Sequence, residues 1–249
     1  MFNFFAEKEN RQGNSFVIAD GDYNHIVNVL RMKQGETFLV SCEGVSNLCE
    51  ITEIHTASLV AEIIEENFND TSLPVKLFLF QGLPKGDKME LVIQKAVELG
   101  VEEIIPVEME NCVVKLDDKK KKSKQTRWQA ISESAAKQSK RNSIPVVSSV
   151  VTYKQAVTRA KEMDAFLVPY ECADGMAATK SALLSIKKGM NVGIFIGSEG
   201  GFAPKEIELA RENNGKIISL GKRILRTETA AITALSMLML YAETELSDD

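Results

Sequence analysis

The chain has 249 residues, 44% apolar and 26% charged, with a formal net charge of −5, enough for one or two domains with a sizeable core. No stretch approaches the roughly 18 apolar residues of a membrane helix, and the opening MFNFFAEKENRQ lacks the basic flank and apolar run of a secretory signal. Four cysteines (Cys42, Cys49, Cys112, Cys172), none in CxxC spacing, argue against a disulfide framework or a structural zinc site and point to a reducing, cytoplasmic setting.

The first 70 residues alternate apolar and polar side chains. Phe16 to Ile18, Thr37 to Val40, Leu48 to Ile54 and Leu59 to Ile64 read as short strands, punctuated by Gly35 and Gly44. One helix, Asp22 to Met32, interrupts them, with Ile26, Val29 and Leu30 at helical spacing. This pattern predicts a small β-barrel-like domain over residues 1–70. The polar, turn-prone Asn67 to Pro74 is the predicted linker.

From residue 74 to 249 the rhythm changes to strands alternating with helices. Val75 to Phe80 is a continuous apolar run, and Asp87 to Leu99 an amphipathic helix closed by Gly100. A strand over Glu103 to Val107, a long helix over Ser123 to Lys140 and a strand over Pro145 to Val151 follow. Ala165 to Val168, Val192 to Ile196 and Lys216 to Leu220 are strands of the buried type, and a final helix runs from Glu228 to about Leu246. The alternation predicts a parallel sheet with helices on both faces. The last helix is apolar nearly all round, so it lies in the core or at a subunit interface.

Charge is unevenly spread. Residues 1–72 hold 4 basic and 12 acidic side chains, and residues 73–249 hold 26 and 23. Residues 115–141 alone hold ten basic side chains against Asp117, Asp118 and Glu133. Such a stretch either attracts polyanions or forms a solvated lysine-rich loop and helix face. Asp117-Asp118 reads as solvated loop, and Trp128, on an amphipathic helix, as a core residue rather than a base-stacking one.

In open α/β sheets, ligands bind beyond the carboxyl ends of strands. Three loops there can carry chemistry: Pro169 to Cys172, Gly197-Ser198-Glu199-Gly200-Gly201-Phe202, and Gly221 to Ala230. The second has neither Walker A nor GxGxxG spacing. Its Glu199 would repel a phosphate, so it suits a neutral or cationic ligand unless it is only a tight glycine turn. In the third, Thr227 is the predicted N-cap of the final helix, with Glu228 in its first turn. Lys222, Arg223 and Arg226 are not needed to start a helix and suggest an anionic ligand.

These residues carry a resemblance. The runs His25 to Glu36, Gln81-Gly82-Leu83-Pro84-Lys85-Gly86-Asp87-Lys88-Met89-Glu90 and Gln94 to Val101 resemble those of the RsmE family of SPOUT (α/β-knot) methyltransferases. So do Arg127-Trp128, Glu133, Ala136, Gln138, Arg141 and Pro145 at their spacing, the GSEGGF loop and the LGKRILRTETA segment. The sequence departs at Ser198, where the family commonly has proline, which implies a slightly more mobile loop, and at Val97, where threonine is frequent.

The resemblance implies an α/β fold: a carboxyl-terminal parallel-sheet SPOUT domain with a trefoil knot, and a small amino-terminal PUA-like β-barrel domain that helps hold RNA. It implies methylation of N3 of a uridine in 16S rRNA of the small ribosomal subunit, with S-adenosyl-L-methionine as donor and S-adenosyl-L-homocysteine as product, by a cytoplasmic homodimer without metal or membrane attachment. Cofactor contacts would come from Val168, Pro169, Gly197, Ser198, Glu199, Gly200, Gly201, Leu220, Gly221, Ile224, Leu225, Thr227, Thr229 and Ala230. Arg226 would stabilise the developing uracil anion or fix the nucleotide, and Glu199 or Glu228 would be the base unless either is a cap. RNA would meet Arg11, His25, Arg31, Lys33, Lys85, Lys95, Lys137, Arg141, Lys222 and Arg223. Two other outcomes stay open: a different knot-enzyme reaction (ribose 2′-O-methylation, or uridine C5-methylation through Cys172), and a non-catalytic RNA-binding assembly factor.

Overall fold

The computed structural model describes residues 1–171 and 175–247. Cys172, the nucleophile of the C5 alternative, lies outside the described residues. The chain divides into two compact units, Met1–Ser72 with Ala136–Ile144, and Leu73–Ala135 with Pro145–Asp249.

The first unit is a six-stranded sheet. Its strands are β1 (Asn3–Phe5), β2 (Arg11–Gln12), β3 (Ser15–Ala19), β4 (Thr37–Cys42), β5 (Val45–Ile54) and β6 (Ser58–Glu65), in the order β1-β4-β5-β6-β3-β2. β1 runs parallel to β4, and the other pairings are antiparallel. The path is open at β1 and β2, so among the described residues the barrel-like sheet is not closed into a ring. Phe4, Phe16, Phe38, Ile51, Leu59 and Ala61 fill its core. Two bulges in β5, at Leu48/Cys49 and Ile51/Glu53, bend the longest strand.

The helix predicted over Asp22 to Met32 is different in kind. A short helix α1 (Asp20–Asn24) widens into a π turn over His25–Val29, and Arg31 at φ 56° ends it. Ile26 and Met32 are buried in the core, Val27 and Leu30 pack against it, and Val29 is 62% exposed, so the buried positions do not follow a regular helical stripe. The segment Ala136–Ile144 is tied in by polar bonds. Asn3 Nδ2 donates to the Arg141 carbonyl (3.1 Å), and Asn142 bonds Thr71 and Asp70.

The second unit is built on an all-parallel sheet. Its strands are β7 (Lys76–Gly82), β8 (Val101–Glu108), β9 (Val146–Val147), β10 (Val151–Thr152), β11 (Ala165–Pro169), β12 (Asn191–Ile196) and β13 (Lys216–Ile218). The order is β10-β8-β7-β12-β11-β13, with β9 also on β8. Continuous apolar runs suit strands covered on both sides. In β7 and β12, Leu77, Leu79, Phe80, Ile194 and Phe195 are all fully buried. Phe80 and Phe195 face each other in register, and their rings stack 4.4 Å apart.

The helices are α2 (Lys88–Glu98), α3 (Asp118–Ser139), α4 (Tyr153–Ala160), α5 (Met176–Leu184), α6 (Pro204–Glu212) and α7 (Thr227–Glu245). α2 packs on α7, and α4 on α6. α2 buries Met89, Val92, Ile93, Ala96 and Val97, the stripe its sequence predicts. α3 starts five residues before the predicted Ser123, inside the lysine run. Asp117 is exposed and outside the helix, and it also caps it: its carboxylate accepts from the Lys120 amide (2.8 Å), and that bond holds its carboxyl below the ordinary range. Trp128 is 3% exposed, a core residue. The predicted strand Pro145 to Val151 is two short strands, separated where the Ser148 hydroxyl turns to the Glu103 carboxylate.

Candidate active site

Because every strand of the second unit is parallel, the loops after β7, β11, β12 and β13 emerge at one end of the sheet. A cavity of about 890 Å³ opens there. Its wall comes from Pro169 to Glu171 after β11, Ile196 to Phe202 around the end of β12, and Ser219 to Thr227 after β13, with Lys88 and Ala230 from helices. This volume is in the range of small-molecule and cofactor sites.

Each wall segment has a local cause. In Gly197 to Phe202 the chain reverses in a tight turn closed by Gly201 N–H to the Ser198 carbonyl (3.0 Å), with Gly201 at φ 64°. Ser198 is buried, and its hydroxyl accepts from the Gly200 amide (3.4 Å). The end of β7 lies against this turn, where a Cβ on Gly82 would stand 2.7 Å from the Ser198 nitrogen. After β13, at the sheet edge, the chain travels back to the central strands, because α7 starts beside β12 and β7.

Thr227 secures that return. Its hydroxyl donates to the Gly197 carbonyl (2.6 Å) and accepts from Gln81 Nε2 (2.9 Å), while Gln81 also donates to the Gly82 carbonyl (2.9 Å). Thr227 is therefore not the N-cap. Arg226 holds that position with extended backbone, and the hydroxyl that would cap the helix is engaged by the neighbouring strand ends. Gln81 is fully buried, and among the described residues its Oε1 has no hydrogen-bond partner.

Glu199 turns toward the loop after β7. Its carboxylate accepts from the Lys85 amide (3.0 and 3.3 Å) and from Lys88 Nζ (2.9 Å). Lys88 Nζ lies 3.5 Å from Glu228 Oε2 as well. Partial burial pushes the Glu199 carboxyl up, but the bonds from Lys88, its own amide and Lys85 outweigh it and hold the pKa below the ordinary value. The same bond, with the charges of Glu199 and Glu228, raises the Lys88 pKa. Glu199 is thus a firmly ionised carboxylate and a weak base. The sequence alone does not mark Lys88 as a site residue. Its signal was its place in the LPKGDKME run, but its two partners lie more than a hundred residues away.

The structure brings together most of the residues predicted to hold a cofactor. Pro169, Gly197, Ser198, Glu199, Gly200, Gly201, Leu220, Gly221, Ile224, Leu225, Thr227 and Ala230 line the cavity. Val168 is fully buried within β11, and Thr229 is exposed on α7 away from the wall. Arg226, Lys222 and Arg223 line the cavity and are exposed; Glu228 borders it through Lys88.

The predicted RNA contacts fall into two sets. His25, Arg31, Lys33 and Lys85 are exposed. Arg11 pairs with Glu66 (2.8 Å), Lys95 with Glu98 (2.8 Å) and Lys137 with Asp22 (3.1 Å), and Arg141 is buried. Within the basic stretch, Lys120, Lys121 and Arg127 also hold ion pairs, to Asp117, Glu108 and Glu90. Lys115, Lys119 and Lys122 are exposed. Among the described residues no cluster of side chains suits a metal ion, and no helix is long and apolar enough to cross a membrane.

Comparison with known proteins fits this geometry. A family model described as an RNA methyltransferase domain matches residues 71–239, and one described as an RNA methyltransferase PUA domain matches residues 18–64. The fold is thus that of an RNA methyltransferase domain together with a PUA domain. The chain is 38% identical to the ribosomal RNA small subunit methyltransferase E of Bacillus subtilis (strain 168), over 98% of each chain. It superposes on a methyltransferase of Legionella pneumophila solved with bound S-adenosylmethionine (32% identity, TM-score 0.81, 96% and 97% of the two chains). It also superposes on the ribosomal RNA small subunit methyltransferase E of Neisseria gonorrhoeae bound to S-adenosylmethionine (29%, TM-score 0.80, 96% and 97%). The chain belongs to the ribosomal RNA small subunit methyltransferase E family.

Proposed function

We propose that this chain transfers a methyl group from S-adenosylmethionine to N3 of a specific uridine in 16S rRNA of the small ribosomal subunit. The observation that carries the proposal is the cavity at the strand ends, where a firmly ionised carboxylate, Glu199, shares the wall with three exposed cations, Lys222, Arg223 and Arg226. A cationic donor and a polyanionic acceptor are asked for side by side.

The residues fit the donor. Main-chain groups of three loops, the apolar Ile196, Phe202, Leu220 and Ile224, and a carboxylate suit an adenosine carrying a sulfonium better than a polyphosphate. When bound, the cofactor supplies an electrophilic methyl group. Pro169, the Gly197 to Gly201 turn and the Leu220 to Thr227 segment would hold it.

Transfer to N3 requires loss of a proton and in-line attack by nitrogen, so the chain contributes chiefly position and charge. Arg226 stabilises the developing uracil anion, and Arg223 and Lys222 hold backbone phosphates. Of the two acidic residues, Glu199 is held too acidic to be a good base. Glu228 shares the same Lys88 (3.5 Å) and is not part of the cavity lining, so the N3 proton is left to solvent. His25, Arg31 and Lys33 of the PUA-like domain, taken as residues 1–70, guide RNA, and residues 74–249 form the catalytic domain. The partly exposed side of α7, where Leu240 is 55% exposed, serves a cytoplasmic homodimer.

The test is incubation with labelled S-adenosylmethionine and unmodified small ribosomal subunits. Label in rRNA supports the reading, and its absence overturns it. Arg226→Ala is expected to lose transfer at least about a hundredfold, while S-adenosylmethionine binding by calorimetry is retained. Full activity in that variant would remove Arg226 from the mechanism.

A further inference from the structure

The cavity wall carries a charge arrangement that methyl transfer alone does not require. Lys88 comes from the first turn of α2, Glu199 from the turn after β12 and Glu228 from the first turn of α7. The single ammonium lies 2.9 Å from one carboxylate and 3.5 Å from the other. The cluster therefore holds one net negative charge. Its side chains are only 31%, 28% and 16% exposed, so water screens that charge incompletely. Lys88 and Glu199 line the cavity and Glu228 reaches it only through Lys88; the other charged side chains on the wall are Glu171 and the three cations of the loop after β13, all exposed. The cavity is polarised, with a partly desolvated negative cluster at one place and solvated cations at another.

We infer that the Lys88–Glu199–Glu228 cluster makes the cavity select the cationic sulfonium donor over the neutral thioether product. The inference rests on the reading of the cavity as the S-adenosylmethionine site. Donor and product differ by one methyl group and one unit of charge. A wall built of main chain and a few apolar side chains gains little from a single methyl, so shape discriminates weakly. Charge discriminates well, because the cluster attracts the sulfonium and has no such hold on the thioether. The consequence is product release: once the methyl group has left, the attraction is gone. Lys88 is here a positioning and charge-setting residue. It holds the Glu199 carboxylate of the wall close to that of Glu228 and sets the cluster's sum to minus one rather than minus two.

The experiment is calorimetric titration of the full chain with S-adenosylmethionine and, separately, with S-adenosylhomocysteine, near neutral pH. The readout is the ratio of the product's Kd to the donor's Kd. Distortion of a loop weakens both ligands alike and cancels in that ratio, so a merely structural role leaves it unmoved. Glu199→Gln is expected to lower the ratio about tenfold, and Lys88→Met to raise it about tenfold, the order expected for one charge in a partly screened site. Lys88→Arg, which keeps the charge, stays within about twofold of the wild type. Ratios within twofold of wild type in both charge-removing variants overturn the inference. If Glu199→Gln does not fold, the contrast between Lys88→Met and Lys88→Arg decides it. Failure of the wild-type chain to bind either ligand would overturn the reading of the cavity instead.

Discussion

Replacing Thr227 with valine tests whether the cavity is held together as described. The side chain is 5% exposed, and its hydroxyl links the Gly197 carbonyl at 2.6 Å to Gln81 Nε2 at 2.9 Å. Valine keeps the shape and removes both bonds. Each bond contributes about 1 kcal/mol net, and leaving partners unsatisfied adds to the cost, so the loss is about 2–3 kcal/mol. Gln81 cannot recover by turning its amide over, because that would aim its oxygen at the Gly82 carbonyl it now donates to. For a domain of about 150–250 residues, each kcal/mol lowers Tm by about 2–4 °C, which predicts a fall of about 4–12 °C. Thermal unfolding followed by circular dichroism gives the shift, and titration with S-adenosylmethionine gives the accompanying loss of affinity, since Gly197 and Thr227 both line the cavity. Thr227→Ser, which keeps the hydroxyl, restores most of both. A Tm within about 1 °C of wild type and an unchanged Kd in the valine variant would refute the reasoning.

Two further outcomes follow from the same structure. Gly100 has φ 89°, and an added Cβ would stand 2.6 Å from Leu73 Cδ1, so Gly100→Ala should cost about 1–3 kcal/mol in urea unfolding; an unchanged midpoint would contradict the left-handed backbone there. The folded-state pKa of Glu199 lies below its ordinary 4.5, so its ionised form stabilises the fold above that pH and the stabilisation is lost as pH falls through the folded value. The stability difference between wild type and Glu199→Gln should therefore shrink below about pH 4.5, and a constant difference down to about pH 3.5 would contradict the Lys88 and Lys85 bonds.

Much of this fold was legible in the chain because single segments carry their own signal. The apolar runs of β7, β11 and β12 and the stripe on α2 state their environment in consecutive residues. The elements that were misread depend on partners remote in sequence. The π turn at His25–Val29 goes with a burial pattern of Ile26, Val27 and Leu30 toward the core and Val29 away from it, which no regular helical stripe gives. The early start of α3 needs the Asp117 carboxylate to cap amides inside a run that reads as solvated. Thr227 looks like a cap until the Gly197 carbonyl and the Gln81 amide are brought beside it. The cavity itself was foreseeable from the loops after strand ends, where glycines, Glu199 and the cations of the last loop are concentrated. Lys88 was not, because its meaning comes from Glu199 and Glu228, which only the sheet topology brings near it. The basic stretch shows the same dependence in reverse: its composition suggests a patch, yet several of its members are neutralised by Asp117, Glu108, Glu90 and Asp22.

The central claim is the atom that receives the methyl group. It is tested most directly by digesting the rRNA of small subunits methylated by this chain to nucleosides and identifying the product by mass spectrometry. N3-methyluridine, appearing with the wild-type chain and absent with Arg226→Ala, is the predicted result. A ribose 2′-O-methylated nucleoside or 5-methyluridine in its place would contradict the assignment, leaving the cavity and its cofactor but moving the acceptor elsewhere on the nucleotide.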